Sequence, residues 1–157
     1  MTGPDAAVPH SLAPSEIESA RALVRRVLDG TPYLDRALEL VDQSLRPQSE
    51  IVAFFAGAAA NAALLLGGFF AGAEGVWQIR SVLLGEACDR ELGRSLMQFT
   101  IEQARGAGAR LILAELPADP VIGESLSLLR ASGFKQDGRI PDYFRDGVAL
   151  LFLRYTP

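Results

Sequence analysis

Cysteine, histidine and lysine are nearly absent from this chain of 157 residues, which has one of each: Cys88, His10 and Lys135. A single cysteine excludes an internal disulfide, and so few Cys and His residues leave no ligand set for zinc or an iron–sulfur cluster. One histidine among prolines argues against a Ser-His-Asp triad, and a Schiff-base enzyme would depend on Lys135 alone. We therefore expect no metal.

An excess of basic residues is also lacking, since fifteen Lys and Arg stand against nineteen Asp and Glu, for a net charge of -4. Nothing in this balance attracts the whole molecule to a polyanion, so we expect no nucleic-acid partner. The length and a hydrophobic content of 49% suit a single globular domain.

The N-terminus has neither a basic segment nor an apolar core, so no signal peptide is indicated and we expect a cytoplasmic protein. Residues 1–14 contain three prolines and are predicted to be a flexible leader, and residues 15–157 are predicted to form the domain.

One long uncharged run, residues 51–73, has the length of a membrane-spanning helix. It contains four glycines and Asn61, and it is flanked by Glu50 and Glu74 rather than by a basic cluster. Two apolar strands joined by a short turn and buried on both faces would have the same composition. We interpret the run as a buried β-hairpin and expect no membrane association.

Hydrophobic spacing assigns the rest of the chain to helices and strands. Ser15 begins a helix that Gly30 ends as a C-cap glycine, and Thr31 with Pro32 at the first helical position begins a second helix that Pro47 stops. Further helices are predicted over about 91–107 and 122–132, and strands over 75–84, 110–116, 133–141 and 148–155. The order predicts an α/β protein, a mixed sheet of about six or seven strands with helices on both faces.

A strand, a polar loop and a helix follow one another through residues 75–107, and the strand RLILAEL comes next. A loop that enters a helix N-terminus presents free N–H groups and so offers a phosphate site. With Gly133-Phe134 and the run GRIPDYFRDG downstream, the segment from 75 to 155 resembles the GNAT superfamily of N-acetyltransferases. The resemblance implies a GNAT-like single-domain fold, acetyl-CoA as cosubstrate, and acetyl transfer to a primary amine by direct attack.

The same resemblance implies which residues form the site. Those implied to bind the cosubstrate lie at the end of the strand and the start of the helix: Val82, Leu83, Leu84, Arg90, Glu91, Leu92, Gly93, Arg94 and Ser95. Gln78 and Arg80 share one face of the strand and are expected to contact the acceptor. The alternative, which the residue type alone favours, is that Arg80 is an ordinary solvated residue.

The phosphate loop departs from the superfamily pattern, because only Gly93 of its motif residues is present. Cys88 stands where a basic or amide side chain is usual, and Glu91 stands at a glycine position. If Glu91 faces a phosphate, its repulsion predicts weak acetyl-CoA binding and a gain of about tenfold or more from Glu91→Gly. Alternatively, Asp89 is an N-cap and Glu91 a first-turn acid that only stabilise the helix. A reactive Cys88 is opposed by the acids around it.

The superfamily's tyrosine general acid is replaced by Leu129, which has no proton to donate. Tyr143, expected in a loop beside the cleft, is the candidate catalytic residue, with an aromatic packing role as the alternative. The acceptor is expected to be a small-molecule or peptide amine. The alternative function is a catalytically degenerate GNAT-fold binding module that has lost acetyl transfer and uses the cleft for another small molecule or the apolar hairpin for a homodimer.

Overall fold

The computed structural model describes residues 8–157, which form seven strands and four α-helices. In chain order these are β1 His10–Ser11, α1 Ile17–Leu28, α2 Leu34–Ser44, β2 Val52–Ala58, β3 Asn61–Phe69, β4 Val76–Leu84, α3 Arg90–Gly106, β5 Leu111–Pro117, α4 Gly123–Ala131, β6 Lys135–Arg145 and β7 Val148–Tyr155. Short 3-10 turns, Pro14–Glu16 and Pro120–Ile122, precede α1 and α4.

All seven strands belong to one sheet, in the order β1-β2-β3-β4-β5-β7-β6. Only β4 and β5 are parallel, and every other neighbouring pair is antiparallel. Helices α1 and α2 pack together, as do α3 and α4, and both pairs contact the central strands. The predicted mixed α/β sheet with helices on its faces is confirmed.

The uncharged run forms the predicted hairpin, in which β2 and β3 pair from Val52 opposite Gly67 to Ala58 opposite Asn61. Seven consecutive residues of β3 are buried, which explains why no polar alternation is visible in the sequence. Phe54 stacks on Trp77 of β4 and meets Phe99 of α3 edge to face, so α3 covers this face of the sheet. Within residues 8–157, no helix is both long and apolar enough to cross a bilayer.

The predicted flexible leader, residues 1–14, falls partly on residues 1–7, which lie outside the described part of the chain. The rest of it is wrong, because His10 and Ser11 pair with β2 and Leu12 is buried. The His10 Nε2 also lies 2.7 Å from Glu16 Oε1. These contacts make residues 10–12 part of the sheet and its core rather than a separate leader.

The two N-terminal helices are found where predicted, with bounds that differ by a few residues: α1 begins at Ile17 and α2 ends at Ser44. Gly30 has φ +74°, the left-handed conformation that a C-cap glycine supplies. The second helix begins at Leu34 instead of Pro32. The Thr31 hydroxyl donates to the Leu28 carbonyl at 2.7 Å and accepts from the Tyr33 N–H at 3.3 Å, so Thr31 shapes the turn between the helices.

Strand β6 is longer than expected and includes Tyr143, which was predicted to lie in a loop. The hairpin with β7 continues to the pair Arg145–Val148, although the register is interrupted between Ile140 and Arg145. Asp142 has φ +52° within this interruption. The difference arises because β6 and β7 form a hairpin whose turn is only Asp146–Gly147, so the segment that contains Tyr143 is assigned to the strand rather than to a loop.

Candidate functional site

The two parallel strands at the centre of the sheet separate halfway along their length. Pairing joins Val76–Ile79 of β4 to Leu111–Ala114 of β5 and stops there. Strand β4 continues to Leu84 and β5 to Pro117 without further pairs between them. The Val82 carbonyl accepts a hydrogen bond from the Ser125 hydroxyl of α4 at 2.6 Å. Other main-chain groups on the facing edges are left for a ligand or solvent, because each N–H and C=O needs a partner.

A β-bulge lies at the point of separation. Leu66 of β3 pairs with Ser81 and Gly67 pairs with Ile79, so Arg80 is the extra residue on β4. A bulge changes the direction of the side chain it carries and bends the strand. Gly67 is required beside it, because a Cβ at this position would lie 2.5 Å from the Trp77 ring.

A cavity of about 340 Å³ lies between the diverging strands and helices α1 and α2. Its wall is mainly apolar and includes Leu28, Pro32, Tyr33, Ala37, Leu40, Val82, Leu83, Leu116, Pro117, Ile122 and Phe144. Three charged residues also line it: Arg36, Arg80 and Glu115. Arg80 and Glu115 are exposed, and neither forms an ion pair within residues 8–157.

Glu115 is a site residue that the sequence interpretation missed. It lies on β5 immediately after the last residue paired with β4. The available signal was a charged residue inside the otherwise apolar strand RLILAEL. A carboxylate in that setting can accept a proton or bind a cation.

A polar cluster around the buried Asp119 includes Tyr33, which lines the cavity. Asp119, 7% exposed, accepts hydrogen bonds from the Tyr33 hydroxyl at 2.9 Å and from Arg145 at 3.0 Å. Its other oxygen accepts from the Val121 N–H at 3.1 Å. Burial opposes ionisation of Asp119, but these hydrogen bonds and the Arg145 charge lower its pKa below the ordinary value. Burial and the bond to Asp119 raise the pKa of Tyr33.

The candidate catalytic residue Tyr143 does not line this cavity. Its side chain is 58% exposed and packs edge to face on Phe144, with 5.0 Å between ring centroids. Phe144, which does line the cavity, packs in turn on Tyr33. Leu129 is fully buried in the core. The arrangement favours the aromatic packing role for Tyr143.

The two residues expected to contact the acceptor are separated by the structure. Arg80 lines the cavity, as described above. Gln78 is 8% exposed, does not line the cavity, and its Oε1 has no hydrogen-bond partner within residues 8–157.

A second cavity of about 270 Å³ lies at the N-terminus of α3. It is lined by Leu84, Cys88, Asp89, Arg90, Gly93 and Arg94 on one side and by Glu124, Ser127, Leu128 and Ala131 on the other. Asp89 caps α3, since its Oδ1 accepts from the Leu92 N–H at 2.7 Å. The N-cap interpretation of Asp89 is therefore confirmed.

The implied cosubstrate residues divide between the two cavities. Val82 and Leu83 line the cavity beside α1 and α2, while Leu84, Arg90, Gly93 and Arg94 line the one at α3. Glu91, Leu92 and Ser95 line neither. Leu83 and Leu84 are adjacent on β4, so the two cavities meet at this strand.

Glu91 is exposed and does not line the α3 cavity. Arg90 and Arg94 border that cavity, are exposed, and form no ion pair in the described part of the chain. This arrangement favours the interpretation in which Glu91 stabilises the helix start.

The thiol of Cys88 is half-buried and lies 3.5 Å from the Asp89 carbonyl oxygen, to which it donates. Burial raises its pKa, the charge of Asp89 adds to the rise, and a backbone hydrogen bond with Gly93 only partly offsets them. A thiolate nucleophile is therefore not favoured here. No group of three His, Cys, Asp or Glu side chains within residues 8–157 is arranged to hold a metal ion.

Comparison with known proteins gives a result at the level of the fold. No protein-family model and no curated protein matches the sequence. Solved structures do match: an acetyltransferase of the GNAT family from Desulfovibrio desulfuricans has a TM-score of 0.80 at 21% identity, with 95% of this chain and 98% of that one covered. A ribosomal-protein-alanine N-acetyltransferase from Brucella melitensis has a TM-score of 0.73 at 18% identity, with 96% and 99% covered.

A third similar structure is an acetyltransferase from Salmonella typhimurium with its cofactor acetyl-CoA. Its TM-score is 0.71 at 16% identity, with 95% of this chain and 92% of that chain covered. The likeness therefore extends over nearly the whole length of each protein. Together with the separating parallel strands and the bulge at Arg80, these matches show that the chain has the fold of the GNAT acetyltransferases.

Proposed function

We propose that this protein is an acyl-CoA-dependent N-acyltransferase that transfers an acetyl group from acetyl-CoA to a primary amine by direct attack. The observation that carries the proposal is the separation of β4 from β5 after Ile79 and Ala114, with a cavity beside it. Unpaired main-chain groups at the centre of a sheet are uncommon, because each buried N–H or C=O without a partner costs free energy. Their presence here is consistent with a ligand site.

The α3 cavity has the donors that a pyrophosphate needs. The helix N-terminus offers main-chain N–H groups, and Arg90 and Arg94 add two positive charges. Gly93 keeps α3 close to α4, since a Cβ there would lie 3.3 Å from Leu128 Cδ2. Asp89 and Glu124 line the same cavity and balance the arginines, so we expect weak acetyl-CoA binding.

When bound, acetyl-CoA would supply an acyl thioester at the separated strands. There, main-chain N–H groups of β4 beyond Ile79 would polarise the acyl carbonyl oxygen. Glu115, on the opposite strand, would accept a proton from the acceptor's ammonium group directly or through one water. The apolar wall around it would exclude bulk water and hold the amine in position.

Some transferase activity is expected even without a general acid that protonates the departing thiolate. A thiol of ordinary pKa, about 8.5, leaves as a thiolate far more readily than an alcohol, and water can protonate it afterwards. The aliphatic Leu129 would therefore slow the reaction without abolishing it.

The degenerate binding module remains the second candidate, and two observations favour it. Leu129 is buried and aliphatic, and two acids line the α3 cavity. Such a protein would bind a small molecule in the cleft without transferring an acetyl group.

Calorimetry with acetyl-CoA and with CoA, followed by an assay of thiol release with a panel of primary amines, tests the proposal. We expect both ligands to bind, and Arg94→Glu to weaken binding by at least about tenfold. Arg105→Glu, an equal charge change at the far end of α3, is the matched control. Absence of acetyl-CoA and CoA binding would refute the proposal, and binding without thiol release would favour the binding module.

A further inference from the structure

Three arginines from different segments of the chain line one cavity beside the separated strands. Arg36 comes from α2, Arg46 from the segment after α2, and Arg80 from the bulge in β4. They line a cavity of about 380 Å³ together with Gln43, Pro47, Ser49, Glu50 and Ile51. We refer to Arg36, Arg46 and Arg80 as the arginine groove.

The arginine groove is continuous with the cavity at the separated strands. Arg36 and Arg80 line both cavities. Glu115 lines only the cavity at the strands, and Arg46 lines only the groove. A small molecule can thus contact Glu115 at one end and the arginine groove at the other.

The positive charge of the groove is only partly neutralised by the protein. Arg36 pairs with Glu39 at 2.7 Å, and Glu50 is the acid that lines the groove. Arg46 and Arg80 are exposed and have no ion-pair partner within residues 8–157. A net positive groove in a chain of net charge -4 is a local feature rather than a consequence of composition.

Guanidinium groups have a geometry suited to one class of ligand. Their planar N–H donors match two oxygens of a carboxylate or a phosphate, and such charge-assisted hydrogen bonds are the stronger kind. The wall between the groove and Glu115 is apolar, with Leu40, Ala37 and Leu83 among its residues. The ligand that suits both ends and the wall is an amine with an apolar body and a distant anionic group.

We propose that the acceptor is an amine bearing a carboxylate or phosphate group, which the arginine groove binds while its amino group lies at Glu115. The inference rests on the proposed acyltransferase function, because it assigns the acceptor of that reaction. In the reaction, Glu115 takes one proton from the ammonium group, and the neutral amine nitrogen then forms a bond to the acetyl carbon. The carbon–sulfur bond breaks, CoA leaves as the thiolate, and the second proton lost by the nitrogen passes through water to the thiolate. The anionic group takes no part in bond making and sets affinity alone.

The test uses two pairs of probes that differ only in the anionic group: 6-aminohexanoate against hexylamine, and O-phosphoethanolamine against ethanolamine. Binding to the full chain is measured by NMR titration or calorimetry with and without CoA. We expect at least one anionic probe to bind about tenfold or more tightly than its neutral partner. The pair that shows the preference distinguishes a carboxylate ligand from a phosphate ligand.

Variants show whether the arginine groove causes the preference. Arg80→Gln and Arg46→Gln alter exposed side chains, so the fold should be retained. Each variant is expected to weaken binding of the preferred anionic probe about tenfold. Arg105→Gln removes the same charge from an exposed position in the last turn of α3 and should have no effect. In the thiol-release assay, the groove variants should raise KM for the anionic amine while kcat changes little.

Three results would overturn the inference: equal affinity for the members of both pairs, no binding of either anionic probe, or a preference that survives Arg80→Gln and Arg46→Gln together. Failure of acetyl-CoA to bind is a separate result. If anionic amines bind through the groove but acetyl-CoA does not, the groove is a ligand site and the acyltransferase proposal fails.

Discussion

Removal of the Asp119 carboxylate should destabilise the protein more than removal of an exposed acid. Asp119 is 7% exposed and accepts hydrogen bonds from Tyr33, Val121 and Arg145, which belong to three different segments around the cleft. In Asp119→Ala, the Val121 N–H loses its cap and the half-buried Tyr33 hydroxyl loses its partner.

The magnitude follows from these contacts. Loss of a cap costs about 1 kcal/mol, and loss of a hydrogen bond to a buried charge costs about 1.5–3 kcal/mol. Arg145 is 51% exposed and can be solvated, so its ion pair adds at most about 1 kcal/mol. We expect the free energy of unfolding to fall by about 3 kcal/mol, which lowers the urea midpoint by about 1–2 M.

The matched control is Asp137→Ala. Asp137 also pairs with an arginine, Arg154 at 2.8 Å, but the two side chains are 46% and 52% exposed. Its loss should cost less than about 1 kcal/mol. Urea unfolding of the wild type and both variants at pH 7 gives the comparison.

The pH dependence provides a second measurement. The folded pKa of Asp119 is lowered, so its stabilisation is fully present above the unfolded value of 3.8 and is lost as the pH falls through the folded pKa. Asp119→Asn should therefore approach the wild type in stability at low pH. If Asp119→Ala loses no more stability than Asp137→Ala, or if the Asn variant shows the wild-type pH dependence, the reasoning is refuted.

The remaining predictions concern the two cavities. Arg94→Glu should weaken acetyl-CoA binding about tenfold or more in calorimetry, whereas Glu91→Gln should change it by less than about fivefold because Glu91 does not line the cavity. A tenfold gain from the Glu91 variant would restore the repulsion argument. Glu115→Gln should lower kcat on an identified amine by about 10²-fold, while Tyr143→Phe should leave kcat nearly unchanged; the opposite ranking would assign the proton transfer to the tyrosine. Cys88 should react slowly with iodoacetamide at pH 7 and faster as the pH approaches its raised pKa, and rapid labelling at pH 7 would contradict the burial of the thiol.

Much of the fold could be predicted because its determinants are close together in the chain. The glycines and Asn61 in an uncharged run distinguish two strands from a membrane helix, and the hairpin is found where expected. Helical spacing and Gly30 define α1 within a few residues, and the structure confirms the N-cap alternative for Asp89. Each of these patterns acts within one turn of helix or one strand.

Errors arose where pairing with another strand determines the local conformation. The Pro-rich start suggested a leader, but pairing with Phe54 and Phe55 makes His10–Ser11 a strand. Turn residues around Tyr143 suggested a loop, but β6 and β7 pair on both sides of this segment, at Ile140 and at Arg145, and Tyr143 is exposed within the strand. The composition of a short segment does not show which other strand will pair with it.

The candidate site shows the same division. The sequence by itself determined the order of elements, the buried hairpin and the position of α3 after a strand, because hydrophobic periodicity and capping are properties of short segments. Only the tertiary structure decided that β4 separates from β5 after Ile79, that a bulge carries Arg80 to Arg36 and Arg46, and that Glu115 shares their cleft. The physical reason is that strand register and helix packing set where side chains from distant segments meet, and a register shift of one residue would turn Arg80 or Glu115 to the other face of the sheet.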